Sequence, residues 1–189
     1  MTRTALINHL IAKENYKSYL EIGVQNGLNL RAVNCPLKTG VDPDPNSKAS
    51  IHLTSDDFFQ ENKEKFDIIF IDGMHEEAYV YRDVNNALEC LNENGVIICH
   101  DINPIDELSQ RVPRESKIWM GDCWKAWVRL RFERDDLEMY VIDTDCGCGV
   151  IRKGKQVTIP IIACSYSEFE KDKQNLLNLI SIQQFLEFH

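Results

Sequence analysis

The stretch YLEIGVQNG, residues 19–27, decides the fold. A short apolar run contains an acid, Glu21, and a loop bounded by Gly23 and Gly27 then leads into a helical pattern. Glycine has no Cβ, so the backbone can turn sharply at both positions and a ligand can approach closely. The stretch predicts the first strand, the cofactor loop and the first crossover helix of an α/β nucleotide-binding fold. An ordinary strand–turn–helix without a ligand has the same glycines and stays the alternative.

The spacing of the glycines bears on the kind of ligand. A dinucleotide-binding loop reads G-x-G-x-x-G, and its middle glycine lies against the pyrophosphate. Here Gln25 takes that position, so the loop reads G-x-x-x-G with the acid two residues before it. This pattern argues against an NAD(P)-dependent oxidoreductase, which remains the second functional hypothesis. A non-catalytic nucleotide-binding protein is the third.

Length and composition set the class of protein. The 189 residues suit one domain, and we expect a core at about 19–151 with a helical extension at about 167–188. A hydrophobic fraction of 43% is enough for a core, and a net charge of −9 argues against nucleic-acid or membrane partners. No apolar run has spanning length, so we expect a cytoplasmic protein. The seven scattered cysteines indicate reduced thiols.

Apolar periodicity predicts the remaining elements. Helices are expected over residues 2–13, 27–33, 76–91, 121–128 and 172–188, and strands over 19–22, 39–42, 66–71, 96–99, 137–142 and 148–151. The pattern Ser167-x-x-Glu170 predicts a capping box before the last helix. That helix closes the core or forms a homodimer contact. The long connection 102–120 is expected to form a lid or a substrate wall.

Polar residues follow three predicted strands. Asp42 lies about twenty residues after the glycine loop, where a ribose-binding carboxylate is expected, with Asp44 as a competitor. An Asp-Pro pair is also an ordinary turn former. Asp72-Gly73-x-His75 ends the clearest buried strand, and His100-Asp101 ends the next. In open α/β sheets ligands bind at this carboxyl edge.

Two further features are less specific. Residues 111–134 contain seven basic and three acidic side chains, an island that could receive an anionic substrate or form a solvated helix face. Cys146-Gly147-Cys148-Gly149 suggests a metal site, but no second Cys or His pair at zinc spacing accompanies it. A hairpin turn is the preferred interpretation.

Taken together, residues 19–27, 40–43, 55–59, 66–75, 95–104 and 121–131 resemble the class I S-adenosylmethionine (SAM)-dependent methyltransferases, of the branch called methyltransferase domain family 24. The resemblance implies a Rossmann-like three-layer sandwich with a seven-stranded, mostly parallel sheet and an antiparallel last hairpin. Its cofactor would be SAM, whose cationic amine and sulfonium suit an acidic loop end. The cofactor-binding residues it implies are Glu21, Gly23 and Gly27 for the methionine part, Asp42 for the ribose, Ser55 and Asp56 for the adenine, and Asp72.

Methyl transfer to oxygen requires donor and acceptor in contact and a deprotonated hydroxyl. Related O-methyltransferases use a divalent cation, which implies Asp72 and Asp101 as ligands of Mg²⁺ or Mn²⁺. The alternative is a general base, His75 or His100, next to Asp101 and without a metal. Both histidines could also merely cap strand ends. The expected reaction is O-methylation of a small hydroxylated acceptor of sugar or anionic type.

Overall fold

The structure is a computed structural model that describes residues 1–160 and 165–188. Its helices are α1 Arg3–Glu14, α2 Leu28–Ala32, α3 Ser55–Glu61, α4 Glu77–Glu89, α5 Cys123–Glu133, α6 Tyr166–Leu177 and α7 Ile182–Phe188. Its strands are β1 Ser18–Ile22, β2 Leu37–Val41, β3 Phe66–Ile71, β4 Leu91–Cys99, β5 Leu137–Ile142, β6 Cys148–Lys153 and β7 Leu179–Ile180. Within these described ranges, no helix is both long and apolar enough to cross a membrane.

The strands form one sheet in the order β2-β1-β3-β4-β6-β5-β7. Strands β2, β1, β3 and β4 run parallel, while β6 runs antiparallel to both β4 and β5. The predicted mostly parallel sheet with an antiparallel hairpin is therefore confirmed. Because the first four strands are parallel, their carboxyl ends meet at one edge of the sheet.

Helices cover both faces of the sheet, which gives three layers. Along β3, Ile69 and Ile71 pack into one apolar cluster with α4, α5 and α6, while Ile68 and Phe70 pack into the other with α1 and Phe185 of α7. A strand buried on both faces reads as a continuous apolar run, as β3 does. Trp124 and Trp127 of α5 are 0% and 1% exposed, as expected for core residues.

The C-terminal segment differs from the single helix predicted over 172–188. Asn178 adopts a left-handed conformation (φ 49°) that ends α6, and its side-chain amide donates to Met139 O on β5 at 2.9 Å. The chain then extends along β5 as β7 before α7 begins. The sheet thus reaches seven strands through β7, whereas Ile51 makes an isolated bridge to Val41.

The predicted capping box was also misplaced. The box joins Ser165 and Glu168, not Ser167 and Glu170, because α6 begins at Tyr166. Both pairs have the same S-x-x-E spacing, and the sequence pattern does not distinguish them. The strand predicted over 96–99 is longer in the structure, because β4 already begins at Leu91 and runs through Asn94-Gly95 with a register shift against β3.

Candidate active site

A cavity of about 650 Å³ opens at the carboxyl edge of the sheet. The predicted site residues on its wall are Gly23, Asp42, Ser55, Asp72, His75, His100 and Asp101. Glu21, Gly27 and Asp56 are not on the wall. The structure thus brings most of the predicted residues around one cleft. The segments that follow β1, β2, β3 and β4 supply them, except for Ser55, which begins α3.

The glycine loop packs tightly against the end of β3. Gly23 has φ 89°, and a Cβ there would lie 2.0 Å from Asp72 O, so only glycine fits. Gln25 (φ 49°) donates its N–H to Asp42 Oδ2 at 2.8 Å, while Asp42 Oδ1 accepts from Asp44 N at 2.9 Å. The backbone N–H at position 25, which a glycine would supply equally, ties the loop to the carboxylate at the end of β2.

Glu21 and Gly27 lie at the two ends of this loop and do not border the cleft. Glu21 is 1% exposed and accepts from Tyr19 Oη at 2.5 Å and from Asn29 Nδ2 at 3.0 Å. Burial raises the pKa of Glu21 to about 7. Gly27 (φ 70°) is the N-cap of α2, and a Cβ there would meet Lys48.

The two residues expected at the adenine end separate in the structure. Ser55 faces the cleft, whereas Asp56 pairs with Arg82 at 2.9 Å and does not border it. The expected adenine contact of Asp56 is therefore not supported by its position, because the first turn of α3 turns its side chain toward α4.

Behind Ser55 lies Asp83, a residue that sequence reasoning missed. Asp83 is 2% exposed on α4, its hydrogen-bond partner is the Ser55 side chain, and its Oδ1 has no partner among the described residues. Burial raises its pKa to about 6. The signal was available, since Asp83 has helical spacing with the buried Val80 and Ala87 and so interrupts an apolar stripe.

Two carboxylates and one imidazole meet at the ends of β3 and β4. His75 Nε2 lies 3.2 Å from Asp72 Oδ1, and His75 Nδ1 lies 3.2 Å from Asp101 Oδ2 and from Trp119 O. Asp101 adopts φ 60°, which turns its carboxylate into the cleft wall. Among the described residues these three are the group that could hold a metal ion, with donor atoms within 4.8 Å of one another.

The protonation of this cluster is strongly coupled. Burial lowers the pKa of His75, but the hydrogen bond to Asp72 and the charge of Asp101 outweigh it, and the pKa is raised. Burial raises the pKa of Asp72, but His100 and His75 outweigh it and hold the pKa well below its ordinary value. A neutral imidazole has one N–H, so it cannot satisfy acceptors at both ring nitrogens. A proton or a cation must fill the remaining contact.

The His100 side chain is more deeply buried than that of His75, at 5% against 19% exposed. Its Nδ1 is 3.2 Å from Asp101 Oδ1 and 3.4 Å from Asp72 Oδ1, without a well-aligned hydrogen bond to either. Its Nε2 is 2.8 Å from Arg3 Nη1 and 3.6 Å from Asp145 Oδ1. The three carboxylates raise the pKa of His100 despite its burial, and the Arg3 guanidinium, which can only donate, opposes this. The sequence analysis identified neither Arg3 nor Asp145 as a neighbour of the site.

The connection between β4 and α5 forms one wall of the cleft. The Trp119 ring stacks on the His75 ring with centroids 5.4 Å apart and an interplanar angle of 22°. Arg114 and Lys117 also face the cleft. The basic island is therefore divided, since Arg129 and Arg131 lie on α5 away from the cleft.

Similarity to a known protein family agrees with a cofactor-binding cleft at this edge of the sheet. Residues 20–102 match the model of a family described as a methyltransferase domain. No curated protein sequence matched the chain.

Solved structures with the same fold include three methyltransferases. The O-methyltransferase TomG from Streptomyces achromogenes, in complex with SAM, has TM-score 0.59 and 14% identity over 80% of this chain and 79% of its own. The Bacillus cereus O-methyltransferase, in complex with S-adenosylhomocysteine (SAH), has TM-score 0.58 and 15% identity over 80% of each chain. SAH-bound PaMTH1 from Podospora anserina has TM-score 0.57 and 15% identity over 81% of this chain and 78% of its own.

At these identities the structural likeness shows the fold alone, and the family match covers the segment from β1 to the end of β4. The resemblance stated from the sequence is thereby confirmed: residues 20–102 match a methyltransferase-domain family, and the chain has the fold of these SAM- and SAH-bound methyltransferases.

Proposed function

We propose that the protein transfers a methyl group from SAM to a hydroxyl of a small acceptor of sugar or anionic type. The observation that carries the proposal is a single cleft with two chemically different ends. The glycine loop and Asp42 border one end, and Asp72, His75 and Asp101 border the other. A nucleoside cofactor at the first end would present its reactive group to the second.

The cofactor end suits a nucleoside with a cationic centre. Each Asp42 oxygen accepts one backbone N–H and keeps a further lone pair for a ribose hydroxyl. Ser55 offers a hydroxyl to the adenine end. The low pKa of Asp72 keeps it ionised, and an anion there attracts a sulfonium. We leave Asp56 out of the proposed site because it faces Arg82.

The reaction end suits a divalent cation. Asp72, His75 and Asp101 would supply two carboxylate oxygens and one imidazole nitrogen, a donor set that suits Mn²⁺ better than Mg²⁺. When bound, such a cation would orient the acceptor hydroxyl and lower its pKa. Both ring nitrogens of His75 face a carboxylate oxygen at 3.2 Å, and a neutral ring can donate to only one of them, which supports a cation at the other.

A metal-free reaction with a histidine base is the second candidate for the same step. His75 and His100 both border the cleft beside Asp101, which places an imidazole near the acceptor. Because nearby carboxylates raise the pKa of both rings, either ring would have to lose its proton before it could accept one. Dialysis against a chelator separates the two candidates. Transfer that stops and returns with Mn²⁺ supports the cation, whereas undiminished transfer supports a metal-free step with His75 or His100 as the base.

Isothermal titration calorimetry with SAM tests the cofactor half of the proposal. We expect micromolar binding that Asp42→Asn weakens about tenfold, since about 1.4 kcal/mol is tenfold in affinity. The matched variant Asp56→Asn should bind as the wild type does, because Asp56 lies outside the cleft. Absence of binding at high micromolar SAM would refute the proposal, and binding of NADH instead would favour an oxidoreductase.

Labelled methyl transfer to a panel of hydroxylated metabolites tests the enzymatic half. We also propose that residues 1–189 act as one domain, which the position of β7 beside β5 supports. A cytoplasmic location and a homodimer contact stay predictions.

A further inference from the structure

The seven basic side chains of residues 111–134 differ in how they are neutralised. Four pair with carboxylates within 3.0 Å: Arg111 with Glu115, Lys125 with Asp122, Arg129 with Glu133, and Arg134 with Asp136. Arg131 is 7% exposed and donates to Asn175 O at 2.6 Å. Three have no carboxylate partner in the described part of the chain, and of these Arg114 and Lys117 are exposed whereas Arg131 is buried. Arg114 and Lys117 both border the cleft.

The guanidinium of Arg114 is oriented without being neutralised. Its Nε donates to Ser116 O at 2.9 Å, and its Nη2 donates to Lys117 O at 2.6 Å. Backbone carbonyls satisfy these donors but carry no net charge. The full positive charge of Arg114, and a free Nη1, therefore remain available to a ligand.

Hydrogen bonds join the two ends of the segment 109–121, which carries these two cations. Ser109 O accepts from Met120 N at 2.8 Å and from Gly121 N at 3.2 Å, and Trp119 Nε1 donates to Arg111 O at 2.7 Å. Ser109 itself is 2% exposed. A loop fixed in this way presents its cations with less entropy to lose on binding than a free loop would.

Trp119 connects the cations to the reaction end. Its ring centroid lies 5.4 Å from the His75 ring, and the Arg114 guanidinium carbon lies 5.8 Å from the indole. The reaction end carries two carboxylates and would repel an anion, so an anionic acceptor has a preferred orientation. Its anion would lie toward Arg114 and Lys117, and its hydroxyl toward Asp72 and Asp101.

We propose that Arg114 and Lys117 bind a carboxylate or phosphate group of the acceptor, and that the protein selects anionic hydroxylated acceptors over neutral ones. This inference rests on the proposed methyl transfer for its acceptor but concerns a separate set of residues. Charge-assisted hydrogen bonds of this kind contribute about 1.5–3 kcal/mol, which corresponds to at least about tenfold in affinity.

Tryptophan fluorescence offers a test that does not depend on turnover. Trp124 and Trp127 are buried, whereas Trp119 is partly exposed beside Arg114. Inorganic phosphate and benzoate are titrated at constant ionic strength into the wild type, the double variant Arg114→Gln/Lys117→Gln, and the control Arg129→Gln. The same three proteins are titrated with SAH by calorimetry.

We expect a saturable fluorescence change in the wild type and in Arg129→Gln, weakened at least tenfold in the double variant, with equal SAH affinity in all three. The proposal is overturned if neither probe gives a saturable change in the wild type, or if the double variant keeps it. Failure of SAH to bind any of the three proteins refutes the proposed function instead. The two failures are therefore distinguishable.

Selectivity in turnover is the second readout. Pairs of hydroxylated acceptors that differ by one phosphate, such as glucose and glucose 6-phosphate, are compared with labelled SAM. A preference for the anionic member that disappears in the double variant supports the inference. Equal use of both members by the wild type overturns it.

Discussion

Asp83 gives the most quantitative prediction, because it is a buried carboxyl with an unpaired oxygen. Burial raises its pKa from 3.8 to about 6, and the residue is 2% exposed, so solvent screening is small. A shift of this size corresponds to about 3 kcal/mol at about 1.36 kcal/mol per pH unit. The folded protein holds a proton that the unfolded chain has lost between about pH 4 and pH 6. Stability is therefore present at low pH and falls as the pH rises through that window.

Asp83→Asn removes this ionisation. The amide can still accept from the Ser55 side chain, but its N–H group gains no partner, which costs about 1–2 kcal/mol at every pH. We expect the variant to be less stable than the wild type at pH 4 and more stable at pH 8. The difference between the two comparisons should be about 2–3 kcal/mol, measured by urea unfolding at both pH values.

The neighbouring Asp56 provides the control. Its side chain is exposed and paired with Arg82, which lowers its pKa, so the sign reverses. Asp56→Asn should therefore lose stability slightly at pH 8, by less than about 1 kcal/mol. If Asp83→Asn changes stability by the same amount at pH 4 and pH 8, the carboxyl does not titrate as its burial requires and the reasoning fails.

Two further predictions concern the frame of the site. Gly23→Ala should lower the free energy of unfolding by more than about 3 kcal/mol, measured by thermal unfolding, because its Cβ would lie 2.0 Å from Asp72 O at a positive φ. Gly73→Ala is the control: its Cβ would lie 3.3 Å from an Ile22 methyl group, and it should cost under about 1 kcal/mol. Equal losses in the two variants would contradict the argument. Arg131→Met should lower the free energy of unfolding by about 2 kcal/mol, because it removes the buried donor to Asn175 O. The exposed Arg129→Met is the control and should cost under about 1 kcal/mol. If Arg131→Met leaves stability unchanged, α6 does not need this contact.

The sequence predicted the sheet because a parallel strand that is buried on both faces has a continuous apolar sequence. The apolar run 66–71 became β3, and the polar residues after β2, β3 and β4 met at one edge of the sheet. The first result follows from the burial of β3 on both faces, and the second from strand direction, since parallel strands bring their carboxyl ends together. The cleft could therefore be predicted without any knowledge of loop geometry.

Tertiary contacts decided the features that were wrong or missed. The apolar spacing over 172–188 looks helical, but Asn178 binds Met139 O, and pairing with β5 outweighs the local preference. Charge counting over 111–134 missed a local feature as well, since three of the cations pair with acids three or four residues away in the sequence. Arg3 reaches His100 because α1 packs on the sheet face that carries Ile68 and Phe70, and the two residues are 97 positions apart in the sequence.

The central claim is that one cleft holds a sulfonium nucleoside at the glycine loop and an acceptor at the ends of β3 and β4. A crystal structure of the protein with SAH tests it most directly. We predict the ribose hydroxyls within hydrogen-bond distance of Asp42 and the sulfur directed toward Asp72 and Asp101. A SAH molecule bound elsewhere, or turned so that its sulfur faces away from these two carboxylates, would contradict the claim.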